Sequence, residues 1–346
     1  MKNHLSNMKG LIIGCGSIGQ RHLHNLKKIG IKNIAICDKD KKRINELSKK
    51  YNTLKFYDLN SALSFEPDFS VICTYPNSHL QIASACIDMN SHIFIEKPIS
   101  SDLRGIEMML KRAHTKRLQV AVGYNLRFDP GLCLLKKKLM KSEISKVLSI
   151  FSQWGHNIKL WRPGTDYKNH YVLKKGSGII LDDSHEYDYI RWLLNDDVES
   201  IYCQTKKITS IKTETESLAA IILKFKKGTI ANLVIDYVRP KYERTCQIIG
   251  EKGDMKWEYA VKEKNWKNYG VLANSTVTTS FVGSKSALRK NFVVKSNEMY
   301  VNEIKNFIHS VTENEKPLVD GWEGFKTLRI GMAALQSAKR NKIIRL

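Results

Sequence analysis

The sequence lacks any long apolar run. Its 346 residues contain apolar stretches such as Leu11–Ile13 and Ala219–Leu223, far short of the roughly 20 residues that cross a bilayer as a helix. The polar start, Met1–Lys9, leads into an apolar run that Gly14 ends after three residues. A signal peptide needs an apolar region of about 7–15 residues. We therefore expect neither a transmembrane helix nor a signal peptide, and a cytoplasmic location.

Cysteine is sparse, and its spacing indicates no metal or disulfide site. The seven cysteines are odd in number, none forms a Cys-x-x-Cys pair, and most lie within apolar, strand-like runs. This pattern predicts buried free thiols in a reducing compartment, with no disulfide framework and no metal site. The sequence also shows no internal repeat and no low-complexity linker.

Acidic residues are few relative to basic ones, 34 against 57, which gives a formal charge of +23. Such a charge is typical of nucleic-acid-binding proteins. The lysines, however, are spread along the whole chain, and we favour solvated surface lysines over a nucleic-acid site. A third interpretation is a positive potential that gathers an anionic substrate or cofactor. We expect no nucleic-acid and no membrane partner.

The composition that remains is ordinary for a globular protein, with 42% hydrophobic and 26% charged residues, and the length suggests two domains. In residues 1–123, short apolar runs alternate with helix-like stretches, which predicts β-α-β units and a doubly wound parallel sheet of the Rossmann type. The predicted strands are Gly10–Ile13, Asn33–Cys37, Phe69–Thr74, His92–Ile95 and Gln119–Val122, and the predicted helices are Gly19–Ile29, Lys41–Tyr51, His79–Asn90 and Leu103–Arg117.

In residues 124–346 the order of the predicted elements is different. Strand follows strand without intervening helices, which predicts an α+β domain with a mostly antiparallel, open sheet. The predicted strands are Lys146–Trp154, Val198–Ile208, Ser217–Phe225, Thr229–Tyr237, Arg244–Gly250 and Asp254–Tyr259, and the helices are Leu132–Lys141, Asp183–Leu194, Asn297–Thr312 and Trp322–Arg340.

A glycine-rich segment joins the first predicted strand to the first helix. It reads Gly14-Cys15-Gly16-Ser17-Ile18-Gly19. Gly14 permits a tight turn, Gly16 lets the backbone approach a pyrophosphate, and Gly19 allows close helix–sheet packing, while the helix N-terminus attracts the phosphates. We therefore predict dinucleotide binding here, with Ser17 and Ile18 in the same loop.

Asp38 ends the second predicted strand, 19 residues after Gly19. A carboxylate at this place accepts hydrogen bonds from the ribose hydroxyls and repels a 2′-phosphate, which favours NAD over NADP. NADP remains an alternative because several basic residues follow immediately and are able to hold the phosphate: Lys39, Lys41, Lys42 and Arg43.

A second candidate cofactor segment follows the third core strand of the predicted sheet, at the carboxyl edge where open α/β sheets bind ligands. It offers Thr74, Pro76, Asn77 and His79. For His79, a place on the surface or at a helix cap is an equal alternative.

Glu96-Lys97-Pro98 follows another predicted strand, with the glycine-rich loop upstream and Gly123–Phe128 downstream. This order resembles the Gfo/Idh/MocA family, named for glucose–fructose oxidoreductase and inositol dehydrogenase, and extends from about Lys9 to the C-terminus. The resemblance implies an NAD(P)-dependent oxidoreductase that acts on CH–OH groups, with Glu96 and Lys97 at the cofactor. It also implies a homodimer or homotetramer formed through the open sheet.

The family pattern combines the lysine of Glu-Lys-Pro with an Asp and a His of the second domain. Asp182-Asp183-Ser184-His185 matches it, with a spacing of three that is similar to a branch associated with sugar and surface-glycan metabolism. We assign His185 as general base for the hydroxyl proton, Lys97 as donor to the reacting oxygen, and Asp182 as the residue that orients His185 or binds a neighbouring hydroxyl. Asp183 is the alternative catalytic carboxylate.

Aromatic faces and planar hydrogen-bonding groups bind sugars, and Arg also binds carboxylates and phosphates. The candidate substrate residues are Asn125, Arg127, Trp161, Arg162 and Tyr167, together with Lys97, Asp182 and His185. An inter-domain salt bridge is an equal alternative for Arg127. Asp188 is expected to pair with Arg191 along the helix.

The function predicted is hydride transfer between nicotinamide and a secondary hydroxyl of a sugar, sugar acid or nucleotide sugar, in surface-glycan biosynthesis. Two related alternatives are an inositol or polyol dehydrogenase and a glycosidase-type enzyme that retains its NAD. An alternative of another class is a non-catalytic regulator that senses NAD and sugar.

Overall fold

The computed structural model describes residues 7–161, 166–174, 176–265 and 270–346, and of residues 263–265 and 270 the backbone alone. The chain divides into two compact units. The first comprises Met1–Asn125 and Tyr300–Lys326, and the second comprises Leu126–Met299 and Thr327–Leu346. The predicted domain boundary, after residue 123, lies two residues before the first boundary between the units, after residue 125. Residues 300–326, which the prediction placed in the second domain, belong to the first unit. Each unit is described by itself.

The first unit contains a six-stranded parallel sheet with the order β3-β2-β1-β4-β5-β6, which confirms the predicted doubly wound sheet. Its strands are β1 (Lys9–Ile13), β2 (Asn33–Cys37), β3 (Leu54–Phe56), β4 (Phe69–Ile72), β5 (His92–Glu96) and β6 (Val120–Gly123), and its helices are α1 (Ser17–Lys28), α2 (Lys41–Tyr51), α3 (Leu59–Leu63), α4 (Pro76–Asp88) and α5 (Ile106–Thr115). The sequence pattern missed β3 and α3, which are too short to show a periodicity.

Local signals explain where these helices begin and end. Asp40 caps α2 by accepting a hydrogen bond from the backbone N–H of Arg43, and the helix ends at Asn52 in the left-handed region. Asp58 caps α3 in the same way. The fourth helix begins with Pro76, whose fixed φ and missing N–H suit the first turn of a helix. It therefore starts three residues before the predicted start at His79.

The return of residues 300–326 to the first unit has a packing reason. Ile304, Phe307 and Ile308 are buried in the hydrophobic core beside the parallel sheet. The ring of Phe307 lies 6.0 Å from that of Phe69 and 5.7 Å from that of Phe94, in edge or tilted contacts. A helix periodicity in the sequence does not reveal which sheet the helix covers.

The second unit contains a nine-stranded sheet with the order β14-β13-β12-β11-β7-β10-β9-β8-β15. All neighbours are antiparallel except β7 and β10, which confirms the mostly antiparallel sheet. The strands are β7 (Val147–Gly155), β8 (Val198–Lys206), β9 (Leu218–Phe225), β10 (Ile230–Asp236), β11 (Glu243–Gly250), β12 (Gly253–Asn265), β13 (Gly270–Phe281), β14 (Leu288–Lys295) and β15 (Ile344–Arg345). The prediction missed β13, β14 and β15.

The helices of this unit are α6 (Pro130–Met140), α7 (Ile179–Asp182) and α8 (His185–Leu194), and α9 (Ser296–Thr312) and α10 (Gly321–Arg340) contain the two later points where the chain passes between units. Short 3₁₀ helices occupy Asn125–Phe128, Ile158–Leu160, Tyr167–Asn169 and Tyr171–Leu173.

One face of the nine-stranded sheet is buried and the other is accessible. In β9, alternate residues such as Ile221 and Leu223 are fully buried, whereas Ile222 is 44% exposed. On the accessible face, Phe151, Asn232 and Ile222 form one row across β7, β10 and β9. Phe151 is 49% exposed and Val234, two residues from Asn232, is 40% exposed.

All seven cysteines are free, and all except the half-buried Cys133 are buried. Burial raises the pKa of Cys15 and of Cys37 to about 12, so both thiols stay protonated at neutral pH. Among the helices in the described parts of the chain, none combines the length and the apolar character that spanning a membrane would require.

Candidate active site

The glycine-rich loop has the geometry that each glycine was predicted to provide. Gly14 has a φ of +91°, and a Cβ on it would lie 2.8 Å from the backbone of Cys73. A Cβ on Gly19 would collide with the carbonyl oxygen of Gly14, whereas a Cβ on Gly16 would meet nothing within 4 Å. Gly14 and Gly19 are therefore required by the fold itself, and Gly16 leaves open space where a ligand can approach the backbone.

The N-terminus of α1 suits an anion. Its N-cap is Gly16, which has no side chain to cap the helix, and the first turn, which starts with Ser17 and Ile18, contains no acidic residue. The first N–H groups of the helix and its positive dipole end are thus not offset by a carboxylate. This arrangement fits the pyrophosphate of a dinucleotide.

Asp38 lies just beyond the end of β2 and is anchored to the glycine-rich loop. One carboxylate oxygen accepts a 2.6 Å hydrogen bond from the N–H of Cys15, and the other accepts a 2.9 Å bond from the N–H of Asp40. Arg43 donates to Asp38 at 3.3 Å and forms an ion pair with Asp40 at 2.9 Å. The basic residue best placed for a 2′-phosphate is thus already paired with two carboxylates, which fits NAD better than NADP.

Thr74, Pro76 and Asn77 remain accessible around the start of α4, as the prediction of a cofactor segment requires. His79, in contrast, is fully buried. Its Nδ1 lies 3.0 Å from the carbonyl oxygen of Pro98, and its Nε2 lies 3.0 Å from that of Thr74. Burial lowers the pKa of the imidazole. The prediction that His79 binds the cofactor directly is corrected, because both ring nitrogens face the protein backbone.

Lys97 follows β5 at the carboxyl edge of the parallel sheet and is the only residue in Ile93–Ser100 that is not buried. Its neighbour Glu96 is 8% exposed and bonds to His22 on α1, with 2.7 Å between Oε1 and Nε2. The other oxygen of Glu96 accepts a 3.2 Å hydrogen bond from the N–H of Lys97. The carboxylate of Glu96 therefore holds the chain around Lys97, and the Lys97–Pro98 peptide is cis.

In the second unit, the structure distinguishes the two candidate carboxylates. Asp182 accepts hydrogen bonds from the phenol groups of Tyr171, at 3.2 Å, and Tyr237, at 2.9 Å. Burial and the nearby Asp182 raise the pKa of Tyr237 well above its usual value, so its hydroxyl remains a donor. Asp183 instead forms a 2.7 Å buried ion pair with Arg244, which also pairs with the buried Glu186.

His185 is the only residue of Gly178–Arg191, a stretch described throughout, that is not buried. The helix predicted from Asp183 begins two residues later, at His185, and a separate short helix, α7, ends at Asp182. Asp182 and His185 therefore lie on two different helices and are not related as positions i and i+3 of one helix. Asp and Ser compete for backbone hydrogen bonds and favour such helix ends.

Arg127 is buried and its guanidinium is paired with a carboxylate. It is 1% exposed and holds Asp188 with two hydrogen bonds, Nε to Oδ2 at 2.9 Å and one terminal nitrogen to Oδ1 at 2.7 Å. Asp188 also accepts a 3.0 Å bond from the Thr327 hydroxyl. The predicted substrate contact is corrected to a buried pair within the second unit. The predicted Asp188–Arg191 pair is wrong, since Arg191 pairs with Asp197 at 3.1 Å.

Trp161 joins a series of stacked and edge-on rings. It stacks on His170 at 5.3 Å and packs at 5.2 Å against His156. His156 in turn lies 6.0 Å from Tyr237, the donor to Asp182. A predicted substrate residue is thereby linked to the predicted catalytic carboxylate through aromatic contacts.

The remaining predicted substrate residues lie in different situations. Tyr167 is half-buried, with the ammonium of Lys159 5.9 Å from its ring. Asn125, in the first unit, is 6% exposed. Arg162 lies outside the described residues. Within the described ranges, no group of His, Cys, Asp and Glu has the geometry to hold a metal ion.

His22, His156 and Tyr237 were not among the residues predicted from the sequence. The sequence signal for the last two was only that each stands at or just beyond the end of a predicted strand. The structure shows that β7 and β10 pair in parallel, with Gly155 opposite Asp236, so that both strands end at the same edge. No local pattern marks His22, whose partner Glu96 lies 74 residues away.

Two family models match this chain. A family model described as "Oxidoreductase family, NAD-binding Rossmann fold" matches residues 8–124, and a second, "Oxidoreductase family, C-terminal alpha/beta domain", matches residues 139–346. Together they account for most of the chain, and the first confirms the prediction of NAD as cofactor.

Individual relatives match over nearly the whole length. The myo-inositol 2-dehydrogenase of Thermotoga maritima is 28% identical, with 97% of each chain covered. An inositol 2-dehydrogenase/D-chiro-inositol 3-dehydrogenase of Lacticaseibacillus casei is 24% identical, with 96% of this chain and 93% of the relative covered. The solved WlbA dehydrogenase from Bordetella pertussis, in complex with NADH and UDP-GlcNAcA, superposes with a TM-score of 0.80 at 19% identity over 98% of each chain and shows the shared fold. The chain belongs to the Gfo/Idh/MocA family of NAD-binding oxidoreductases.

Proposed function

We propose that this protein transfers a hydride between NAD and a secondary hydroxyl of a cyclic polyol or sugar. The observation that carries the proposal is the exposure of Lys97 on an otherwise buried segment at the carboxyl edge of the parallel sheet. Helix α1, which follows β1, has its N-terminus at the same edge of the sheet. An ammonium group beside a dinucleotide site is suited to stabilise the oxygen of the reacting carbinol.

Bound NAD would supply the hydride acceptor at its nicotinamide. The residues of the chain carry out the proton chemistry that must accompany this transfer. We assign His185 as the base that takes the hydroxyl proton and Lys97 as the donor to the same oxygen. Asp182 binds a neighbouring hydroxyl or orients His185. The pairing of Asp183 with Arg244 supports the choice of Asp182 over Asp183, because it commits Asp183 to a buried cation.

The substrate class follows from the rings near Asp182 and from the relatives. Trp161 forms a stacked contact with His170 and a tilted contact with His156, and aromatic faces suit the C–H face of a sugar or cyclitol. Two relatives, at 28% and 24% identity, are inositol 2-dehydrogenases, so inositols are the first substrates to test. Sugar acids and nucleotide sugars of surface-glycan metabolism are the second class, because a net charge of +23 favours anions.

The test is a substrate screen that follows NADH absorbance with inositol isomers, hexoses, uronates and nucleotide sugars, each with NAD and with NADP. With the active compound, Lys97→Ala and His185→Asn should each lower kcat by about 100-fold or more. Lys111→Ala and His309→Asn are matched controls on exposed helix positions and should retain activity.

Other outcomes of the screen contradict the proposal. Conversion of a sugar without net NADH release would indicate that NAD is retained, as in the glycosidase-type alternative. A Lys97→Ala protein with unchanged kcat would exclude Lys97 from the chemistry. Full biological activity of that variant, with no turnover by either protein, would favour the NAD- and sugar-sensing regulator.

We also propose that the accessible face of the nine-stranded sheet forms a homodimer or homotetramer contact. Phe151, Ile222, Ile230 and Val234 are each 40–49% exposed there, and such an apolar face is typical of an interface. Light scattering should give a multimer for the native chain and a monomer for Phe151→Lys/Ile222→Lys. A monomeric native protein would contradict this assignment.

A further inference from the structure

Two buried imidazoles contact the chain on either side of Lys97. His22 bonds to the side chain of Glu96, with 2.7 Å between Nε2 and Oε1. His79 contacts the carbonyl oxygen of Pro98, with 3.0 Å between Nδ1 and that oxygen. Both histidines are fully buried. The residues before and after Lys97 are thus each held, while Lys97 itself stays accessible.

The two histidines belong to the helices that follow the two cofactor loops. His22 lies on α1, after the glycine-rich loop, and its ring packs edge-on against Phe94 at 5.1 Å. His79 lies on α4, and its second nitrogen is 3.0 Å from the carbonyl oxygen of Thr74 in the loop that precedes this helix. The imidazoles therefore connect the Glu96–Pro98 segment to both loops that lie beside the predicted dinucleotide site.

Full burial rules out direct contact of either ring with a ligand in this structure. His22 instead contacts the Glu96 carboxylate, which accepts a hydrogen bond from the N–H of Lys97, and His79 contacts the carbonyl oxygen of Pro98. Reactions are sensitive to displacements of about 1 Å in a catalytic group such as Lys97. We propose that His22 and His79 are positioning residues that fix Lys97 beside the cofactor site. The inference deepens the proposed function, on which the role of Lys97 rests.

Asparagine and glutamine substitutions separate this role from a general effect on stability. The amide nitrogen of Asn is three bonds from Cα, like Nδ1 of His, and that of Gln is four bonds away, like Nε2. A neutral imidazole carries one N–H, so His79 donates to only one of the two carbonyl oxygens, and holding Pro98 requires the tautomer with the proton on Nδ1. With that tautomer, His79→Asn keeps the donor for Pro98, whereas His79→Gln loses it and places its amide group toward Thr74. At His22 the order is inverted, because Nε2 makes the contact with Glu96: His22→Gln keeps a donor and His22→Asn loses it.

The direct readout is the reactivity of Lys97 toward trace acetic anhydride, measured by mass spectrometry across a pH series, with Lys111 as internal reference. This assay needs neither substrate nor turnover. We expect His79→Gln and His22→Asn to change the labelling rate of Lys97 by about threefold or more, the effect of half a pKa unit. His79→Asn and His22→Gln should change it clearly less.

His92 provides the matched control. It lies at the opposite end of β5 from Glu96, is half-buried, and accepts a 2.9 Å hydrogen bond from the N–H of Gln119. By the same bond count, His92→Asn keeps an acceptor for Gln119 and His92→Gln loses it. Both variants should leave the labelling of Lys97 as in the native protein.

Two results would overturn the proposal. One is equal Lys97 labelling in the native protein and all four variants at His22 and His79. The other is the same effect of Asn and Gln at each site, since a merely structural role does not depend on which nitrogen is replaced. If one variant at a site does not fold, the pair at the other histidine decides between the outcomes.

Kinetics separate this proposal from the proposed function. With an active substrate, kcat should fall about tenfold or more in His79→Gln and His22→Asn, with NADH affinity changed far less, and the companion variants should retain more activity. Absence of dehydrogenase activity in the native protein would refute the proposed function, while the labelling pattern would still decide whether the histidines position Lys97.

Discussion

Replacing Arg127 by methionine removes the cation from the buried ion pair with Asp188. The two side chains are 1% and 2% exposed, and two hydrogen bonds of 2.7 and 2.9 Å join them. The methionine leaves the Asp188 carboxylate buried with the Thr327 hydroxyl as a donor at 3.0 Å. A buried charge that loses its partner costs far more than the pair contributes, because its desolvation is no longer offset.

The expected loss in the free energy of unfolding is about 3–5 kcal/mol. For a unit of this size, Tm shifts by about 2–4 °C per kcal/mol, so Arg127→Met should lower Tm by roughly 6–20 °C. The double variant Arg127→Met/Asp188→Leu removes both charges together and should recover most of this loss. The recovery measures the coupling between the two residues.

Thermal and urea unfolding of the two single variants and the double variant provide the measurement. The control is Arg104→Met, which breaks an Arg–Asp102 pair with similar distances, 2.9 and 2.7 Å, but with the arginine 92% exposed. Its Tm should not change measurably. The structural assignment would be refuted by two results together. One is a loss of less than about 1 kcal/mol in the free energy of unfolding of Arg127→Met, as for a surface pair. The other is a raised KM for the sugar, which would indicate that Arg127 contacts the substrate.

Three further predictions follow from the first unit and from Asp129. Gly16→Ala should keep the native Tm and weaken NADH binding, whereas Gly19→Ala should lower Tm, because only the second methyl group meets backbone; equal Tm values in melting experiments would contradict this. Asp38→Ser should raise KM for NAD about tenfold or more and increase the relative use of NADP by releasing Arg43, and an unchanged NADP/NAD ratio of kcat/KM would contradict it. Burial raises the pKa of Asp129, so its contribution to stability is present at low pH and is lost as pH rises through the folded pKa. Asp129→Asn should therefore gain Tm relative to the native protein as pH rises above about 4, the usual pKa of Asp, and a constant difference would refute the sign.

Much of the fold was predictable from the sequence because the signals are local. The apolar runs of β1, β2, β4 and β5 and the glycine-rich loop specify a strand–turn–helix order without reference to distant residues. The edge strand β3, with three residues, and the polar strand β13, rich in Ser and Thr, gave no such pattern. The sheet that α9 packs against was equally hidden, because helical periodicity identifies an apolar face but not its partner.

The candidate site was predictable in part. The accessible positions of Thr74, Asn77, Lys97 and His185 agree with their predicted roles, which remain predictions. His79 was placed in the right loop, but its burial against two backbone carbonyls was not visible in the sequence. A histidine beside a cofactor motif looks the same in the sequence whether its ring faces a ligand or the backbone.

The sequence by itself determined the alternation of strands and helices in the first unit, the dinucleotide loop and the family, because short-range spacing encodes them. The tertiary structure alone decided the partners of the charged groups: Arg127 with Asp188 and Arg244 with Asp183, each pair 61 residues apart. Such contacts depend on how strands and helices pack after the chain has folded. The residues next to each carboxylate in the sequence do not indicate its partner, so the partners could be identified only from the structure.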